Sequence, residues 1–459
     1  MEKGDTNLDI NALLQALQTV VEPKNILTGD DIGADFTHDE YPGESYAPDA
    51  VVRADSTETV AAVLKCCGEA GVPVTVRGAG TGQMGGSVPV KGGVVLSVKD
   101  MDQILALDEE AKTITVQPGV LLQDVKAEAE RKGLYYPPDP GEQTATIGGN
   151  VSTNAGGPCA VKYGKTKDYV LDAVLVKVDG SVCRLSDDAA NAAVIGSEGT
   201  LAVVTEITLR LIDKPGADAI LLFPFLDFDT ALNAAQQILA AEEYSPAVVE
   251  LLDTDLVEFS GNVTGNPVFP VEIDGERVCA TLMVTLEADD DDAVMELMEV
   301  IAEGAEDLEC LDILVGDSPT MKRDFWAAHT AFHTSMESGA KCACEVNVDL
   351  PFEAFADVIP FAKELGEELG LKVMLNAHVG SGGIHFHAVS DDKEAFPAAS
   401  KAFADAMYAK VAEAGGDIVG EYGVGYGKNA YLSDEAKAAF AAVKAAFDPQ
   451  GILNPGKRV

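Results

Sequence analysis

Residues 137–157 read Pro-Pro-Asp-Pro-Gly-Glu-Gln-Thr-Ala-Thr-Ile-Gly-Gly-Asn-Val-Ser-Thr-Asn-Ala-Gly-Gly, nearly uncharged and low in bulk within an acidic chain. Three prolines stiffen the approach, and Gly141, Gly148, Gly149, Gly156 and Gly157 let backbone N–H groups come close to something bound. Thr146, Ser152, Thr153 and Asn154 add neutral donors. Such a stretch reads as a floor for a large polyanionic ligand, and the fold must be one that carries it.

A matching wall lies earlier, Arg77-Gly78-Ala79-Gly80-Thr81-Gly82, followed by Gly85-Gly86-Ser87. It follows the apolar run Val72–Val76, which predicts a short buried strand whose end carries a phosphate cradle. A glycine loop after a strand is equally the mark of a tight turn. A nicotinamide fingerprint would continue into a helix with an acidic residue about 20 residues on. Here Gly92-Gly93 and a second strand, Val94–Val98, follow instead, so another dinucleotide fold is needed.

Further segments fall in the order of one flavoprotein family. They are Pro48–Val52 with Ser56–Val60, Arg77–Gly82, Pro137–Gly157, Val161–Gly164, Gly196–Thr200 with Val203–Glu206, and Phe447–Lys457. From about residue 46 onward the chain resembles the FAD-linked 2-hydroxy-acid dehydrogenases of the vanillyl-alcohol-oxidase superfamily. That group includes the glycolate oxidase flavin subunit, D-lactate dehydrogenases and D-2-hydroxyglutarate dehydrogenase. The resemblance implies an α+β fold: a two-part PCMH-type FAD-binding domain plus a substrate (cap) domain with an antiparallel sheet and helices on one face.

It also implies a cofactor site. Arg77, Gly78, Ala79, Gly80, Thr81, Gly82, Thr146, Gly149, Asn150, Ser152, Thr153 and Asn154 would hold the FAD pyrophosphate, with Pro138, Gly199 and Val204 at the adenine and flavin ends. Gly85, Gly86, Gly141, Glu198 and Asn454 complete the expected set. Some relatives attach flavin through a histidine near the glycine loop, but none lies between His38 and His329, so the FAD is expected to be non-covalent.

The formal charge of −44, from 32 basic and 76 acidic residues, excludes nucleic acid and anionic lipid as general partners. Salt adaptation would also explain it, although Lys outnumbers Arg threefold here. An anionic cofactor and substrate must then be held by local donors against the global field. With 459 residues and 47% hydrophobic content the chain can bury two cores. Met1–Asp5 shows neither a basic n-region nor an apolar core, and no apolar run approaches a membrane span, so a soluble cytoplasmic protein is expected. The eight cysteines are then free thiols, with no Cys-x-x-Cys for an iron–sulfur centre. Cys342 and Cys344 sit in an alternating run that predicts a strand with small core residues rather than a soft-metal site.

Four segments are expected. An N-terminal helical extension occupies 1–45, with a helix-like stretch from Ile10 to Val21, and the FAD domain occupies 46–214. The substrate domain spans 215–438, and 439–459 returns to the FAD domain. Within the substrate domain, strand, helix, strand repeats twice: 219–226, 229–243 and 248–252, then 278–287, 291–303 and 310–315.

Three of the six histidines fall in Asn376-Ala-His378-Val-Gly-Ser-Gly-Gly-Ile-His385-Phe-His387, a glycine-rich turn between two strands. With Gly420-Glu421-Tyr422-Gly-Val-Gly425 they suggest a divalent metal site. The resemblance implies His378, His385 and Glu421 as ligands, and Zn, Fe or Mn suit them alike. A 2-hydroxy acid could chelate such a metal, lose its hydroxyl proton to a base and pass its C2 hydrogen to flavin N5.

Departures from the family pattern surround the substrate. Tyr422 stands where relatives carry a histidine base, leaving Tyr422 and His387 as alternative bases. His329 replaces an arginine that grips the substrate carboxylate, with His333 one helical turn on; a pair of surface histidines on an amphipathic helix is the other reading. Asn347 replaces an acidic residue and Gly383 an asparagine, while Lys428 keeps its family position to orient the carboxylate. The expected function is oxidation of a small anionic D-2-hydroxy acid of the lactate or glycolate class. Electrons would pass to an electron-transferring flavoprotein, an iron–sulfur subunit or a quinone. An FAD oxidoreductase for a different alcohol or oxo-acid, or a catalytically silent flavoprotein subunit, are the alternatives.

Overall fold

The computed structural model describes residues 10–241 and 244–458. Met1–Asp5 and the last two residues of the helix expected over 229–243 lie outside that range.

The first sheet has four strands in the order Ile26–Thr28, Ala50–Arg53, Val94–Ser97, Val74–Arg77; the last three are parallel. Buried Val52, Val74, Val94 and Leu96 share a core with Val60, Val63, Leu64 and Cys67 of the helix Thr57–Ala70. Ser56 caps that helix by accepting the Thr59 N–H at 3.2 Å, and Gly71 ends it at φ 65°. The strand Val74–Arg77 thus delivers the glycine loop at its carboxyl end. The N-terminal segment, expected as a helical extension, is described from Ile10 onward. It is α-helical over Ile10–Leu17, supplies the edge strand Ile26–Thr28, and buries Leu13, Leu17 and Val21 in this same core. From the other end of the chain Leu453 bridges to Val74, with Val74 N–H on Ile452 O and Asn454 N–H on Val74 O.

A second sheet of five antiparallel strands runs Ile104–Asp108, Thr113–Val116, Val203–Arg210, Val170–Val176, Val182–Arg184. The short helix Ile147–Thr153 packs on it through Ile147 and Val151.

Residues beyond Asp213 build a seven-stranded, wholly antiparallel sheet. Its order is Leu314–Gly316, Ala217–Phe225, Ala280–Ala288, Val248–Asp253, Lys372–His378, Gly383–Ser390, Cys342–Asp349. Strand alternation divides its side chains sharply. Val249, Leu251, Leu375, Ala377, Ile384, Phe386, Val346 and Val348 face a core closed by the helices Phe228–Ala240, Asp291–Glu303, Phe355–Leu369 and Phe396–Glu413. The opposite face carries Val248, Leu252, Met283 and Met374, covered by the shorter helices Thr254–Thr264, Pro319–Thr330 and Phe332–Gly339. The expected helical face is therefore present, and a second helical layer covers part of the other. On that second face the polar positions of the four strands Val248–Asp253, Lys372–His378, Gly383–Ser390 and Cys342–Asp349 come together.

Candidate active site

Both glycine segments line one groove. Gly78, Ala79, Gly80, Thr81, Gly82 and Gly86 come from the first, Thr146, Gly149, Asn150, Ser152 and Thr153 from the second, and Glu198, Gly199 and Val204 from the second sheet's approach. A Cβ on Gly78 would lie 2.3 Å from Thr146 Oγ1, so glycine is what lets the two loops meet. Thr146 itself caps the helix Ile147–Thr153 by accepting the Gly149 N–H at 3.3 Å.

Six expected residues stand behind the groove instead of in its wall. The Arg77 guanidinium, nearly buried, donates to His38 O at 2.8 Å and Ser87 Oγ at 3.1 Å, supporting the loop from beneath. Gly85 makes room for the Tyr426 ring, which a Cβ would meet at 2.2 Å. Asn154 ends the short helix at φ 54° and accepts the Lys167 N–H at 2.9 Å. Asn454 Nδ2 donates to Gly86 O at 2.9 Å and Glu198 O at 2.7 Å, tying two parts of the groove together. Gly141 lines the neighbouring cavity, and Pro138 is buried outside both. The wall also contains Val76, Val98, Pro118, Ala202 and Val203, which sequence reasoning missed because aliphatic residues in strands look the same in any core.

Glu198 fastens the cap to this domain. At φ 56°, its buried carboxylate accepts the N–H groups of Val424 at 2.8 Å and Gly425 at 2.6 Å, and meets Arg458 Nη1 at 3.1 Å. The Gly420–Gly425 turn is thereby held against the groove.

Cross-strand register assembles the histidine cluster. His378 lies opposite Glu250, Asn376 and Asn347 flank His385, and Glu345 lies opposite His387. His385 and His387 share the second face of the sheet while Phe386 points into the core, as period-two alternation predicts. The two Nε2 atoms of His378 and His385 are 3.2 Å apart, with Glu421 Oε2 at 3.4 Å and 3.7 Å. Glu421 is placed by Gly157 N–H, donated to its Oε1 at 2.6 Å, and by its own N–H on Asn347 Oδ1 at 2.9 Å.

Two acids with no role in the sequence reading, Glu250 fully buried and Glu345 partly buried, stand behind these imidazoles. Glu250 contacts His378 Nδ1 at 2.6 Å and His329 Nε2 at 2.9 Å; Glu345 contacts His385 Nδ1 at 2.7 Å and His333 Nδ1 at 2.9 Å. A carboxylate on each Nδ1 fixes a proton there, so that Nε2, beside Glu421, is the side of each ring that a metal would take. Two imidazole nitrogens and one carboxylate oxygen within 4.8 Å of one another, with a carboxylate behind each ring, form a donor set that could hold a divalent metal. The signal that could have found Glu250 is a lone acid in the middle of the apolar strand Val248–Asp253.

Burial would raise Glu250 and Glu345, but the histidines beside them outweigh it, and both acids are held below the usual carboxylate range. Burial likewise opposes the charge on His378, and Glu250 and Glu421 more than reverse it, lifting its pKa well above the ordinary value. His387 is pushed down to about 4 by burial, and Tyr422 well above 10 by burial and the nearby glutamates.

His329 and His333 do not act as one pair on one helix. The helix breaks at Ala331, so His329 ends Pro319–Thr330 and goes to Glu250, while His333 begins the next helix and goes to Glu345. With Nε2 engaged, His329 keeps one ring nitrogen for a ligand. Lys428 does not reach the site. Fully buried, its ammonium donates to Asn347 O at 2.8 Å and Val419 O at 3.0 Å, which positions the Glu421 turn from below.

A cavity of about 460 Å³ lies over the cluster, between the cap and the first domain. His329, His378, His385, His387, Glu421 and Tyr422 form one side and Gln83, Tyr135, Pro140 and Glu142 the other. It joins the groove at Gln83, Pro140, Glu142, Glu421 and Tyr422, which belong to both walls.

Residues 48–186 match the FAD binding domain and residues 214–458 the C-terminal domain of FAD linked oxidases. This chain is an FAD-linked oxidase. The family match assigns FAD as its cofactor, and the protein is an oxidoreductase. A D-lactate dehydrogenase of Anaerostipes hadrus is 37% identical over 95% of both chains. The glycolate oxidase subunit GlcD of Bacillus subtilis is 33% identical over 92% of this chain and 91% of its own. p-Cresol methylhydroxylase, solved with substrate bound, shares the fold at a TM-score of 0.80 and 18% identity, over 100% of this chain and 98% of that one.

Proposed function

We propose that this FAD-linked oxidase dehydrogenates a small D-2-hydroxy acid, of the lactate or glycolate class, to the 2-oxo acid. The observation that carries the reading is the continuity of the His378–His385–Glu421 cavity with the FAD groove through Glu421 and Tyr422. A molecule of a few carbons can lie against the cluster and the groove together. The activities named for the two relatives support the same substrate class.

His378, His385 and Glu421 would hold a divalent metal, which when bound polarises the substrate hydroxyl and lowers its pKa. The groove would hold FAD, which when bound would supply the acceptor for the C2 hydride. Glu250 and Glu345 keep the Nδ1 protons in place, so that both Nε2 atoms stay available as donors. His387, a neutral imidazole on the cavity wall, takes the hydroxyl proton. Tyr422 remains a phenol and serves as a hydrogen-bond donor rather than the base. Electrons leave to a separate acceptor, an electron-transferring flavoprotein, an iron–sulfur subunit or a quinone.

A second reading, an alcohol or oxo-acid substrate without the same carboxylate, is favoured by the lack of an arginine among the residues of the cavity wall. One experiment decides: anaerobic mixing of the flavoprotein with D- and L-lactate, glycolate and uncharged alcohols, following flavin absorbance. Bleaching by the D-2-hydroxy acids, abolished by a chelator, is expected. Bleaching by alcohols alone would establish the second reading, and none at all would overturn both.

A further inference from the structure

The cavity over the histidine cluster is longer than the chemistry at its head requires. At about 460 Å³ it has the size of a site for a drug-sized ligand, whereas a three-carbon acid, with C–C bonds of about 1.5 Å, is under about 5 Å long. Sheet register gives its extent. Glu250 lies opposite both His378 and Met283, and Thr285, in the cavity wall, lies two residues further along, opposite Val248. Two strand spacings of about 4.8 Å and two residues of about 3.4 Å put the Thr285 backbone about 12 Å from that of His378. The junction with the groove lies instead at Glu421 and Tyr422, which meet His378 and His385 themselves. A cofactor reaching the cluster from the groove therefore leaves the Thr285 end free.

That end is mostly apolar. Tyr135 and Cys159 of the first domain and Val248 and Trp326 of the cap line it, and Cys159 and Trp326 pack on the same core cluster as Val248. Its charges are already answered within the protein: Glu287 accepts from the Tyr163 hydroxyl and from Lys162 at 3.1 Å, Asp218 accepts from Lys322 at 2.8 Å, and Lys214 is paired with Glu130. C2 of a 2-hydroxy acid carries four groups. With hydroxyl and carboxylate turned to the His378–His385–Glu421 cluster and the hydrogen turned to the groove, the side chain leaves in the remaining direction, where the cavity continues. We propose that the preferred substrate is a 2-hydroxy acid with a large apolar side chain, aryl or branched alkyl, seated against Val248, Cys159, Tyr135 and Trp326. D-Lactate carries the same reacting head but leaves that space to water, which makes it the weaker substrate. This inference rests on the function proposed above and extends its substrate from the lactate skeleton to larger side chains.

The test compares D-lactate with D-phenyllactate on the purified holoprotein, with an artificial dye as electron acceptor. Val248→Phe shortens the space from the cap and Cys159→Phe from the first domain. Ser400→Phe is the control: it narrows a third cavity, which opens past the strand Cys342–Asp349 and shares His387 and Tyr422 with this one. In the wild type kcat/KM is expected to be more than about tenfold higher for D-phenyllactate, since one buried methylene alone contributes about tenfold or more. Val248→Phe and Cys159→Phe should each lower the D-phenyllactate value about tenfold, mainly through KM, hold D-lactate within about threefold and keep the flavin spectrum. Ser400→Phe should leave the ratio of the two substrates unchanged. A wild type that prefers D-lactate, or cavity variants that slow both acids alike, would overturn the inference and make the space an access passage. So would loss of D-phenyllactate turnover in Ser400→Phe alone, which would send the side chain to the third cavity. Should Val248→Phe not fold, Cys159→Phe makes the same comparison from the facing wall. If no hydroxy acid reduces the wild type, the functional reading fails; if D-lactate reduces it and D-phenyllactate does not, this inference alone fails.

Discussion

Replacing Glu250 by glutamine tests the metal site proposed for His378, His385 and Glu421. Its carboxylate is fully buried and serves His378 Nδ1 at 2.6 Å and His329 Nε2 at 2.9 Å. Because the acid is held below its ordinary pKa in spite of burial, the folded state favours the ionised form, and a neutral amide must be a loss. Glutamine can accept one of the two bonds, but its NH2 confronts the other imidazole with a donor. If that imidazole is His378, its proton moves to Nε2 and the lone pair beside Glu421 disappears. If it is His329, the His378 bond survives without its charge. Loss of charge assistance on two bonds costs roughly 1–4 kcal/mol in stability, given that such bonds contribute about 1.5–3 kcal/mol each and neutral ones about 1. Carboxylates behind metal-bound histidines are worth about 10–100-fold in metal affinity, or about 1.4–2.7 kcal/mol. The expected variant therefore binds FAD normally, releases metal to a competing chelator 10–100 times more readily, in line with that range, and is reduced by D-lactate only when metal is added in excess. Elemental analysis, flavin absorbance and anaerobic reduction read these separately. Wild-type metal retention with an unchanged reduction rate would refute the claim that Glu250 sets the His378 tautomer.

Two further outcomes follow from other parts of the molecule. Glu198→Ala removes the acceptor for the Val424 and Gly425 N–H groups and keeps a side chain at φ 56°, whereas Glu198→Gly removes the strain as well. Both should unfold earlier in urea, with glycine the milder by about 1 kcal/mol; equal midpoints would show that the backbone there is unstrained. Burial pushes the Cys67 thiol from 9.0 up to about 12, so the folded state holds a proton that the unfolded chain loses first. The stability this contributes is full below pH 9 and is lost as pH rises through 9 towards 12. By pH 10 the loss is about 1.4 kcal/mol, and Cys67→Ala should flatten that part of the urea-midpoint profile.

Both glycine-rich segments that line the groove were legible because such loops are written where backbone must approach a ligand, whereas His378, His385 and Glu421 were singled out as a set through the family resemblance, and the fold brings them together. Roles that depend on which side of a loop a residue takes were not legible. Arg77 carries the charge a phosphate would want, yet its guanidinium satisfies backbone and hydroxyl oxygens behind the loop. Lys428 stands at a familiar spacing, but a single change of direction buries it under the Glu421 turn. His329 and His333 look like one helical face, and the break at Ala331 sends them to different carboxylates. Glu250 and Glu345 are contributed by strands far apart in sequence, and cross-strand register, which no local pattern encodes, is what sets them behind the histidines.

The pairing of Leu453 with Val74 also has a meaning in time. On the ribosome the first sheet emerges hundreds of residues before the segment that completes it, together with Asn454 and Lys457, which hold the carbonyl of Gly86 at the groove. A nascent chain can fold its cap while its dinucleotide site is still missing one side. If the groove takes FAD as proposed, capture is expected to follow synthesis, and a chain cut short before Ile452 is expected to purify colourless with its histidine cluster intact.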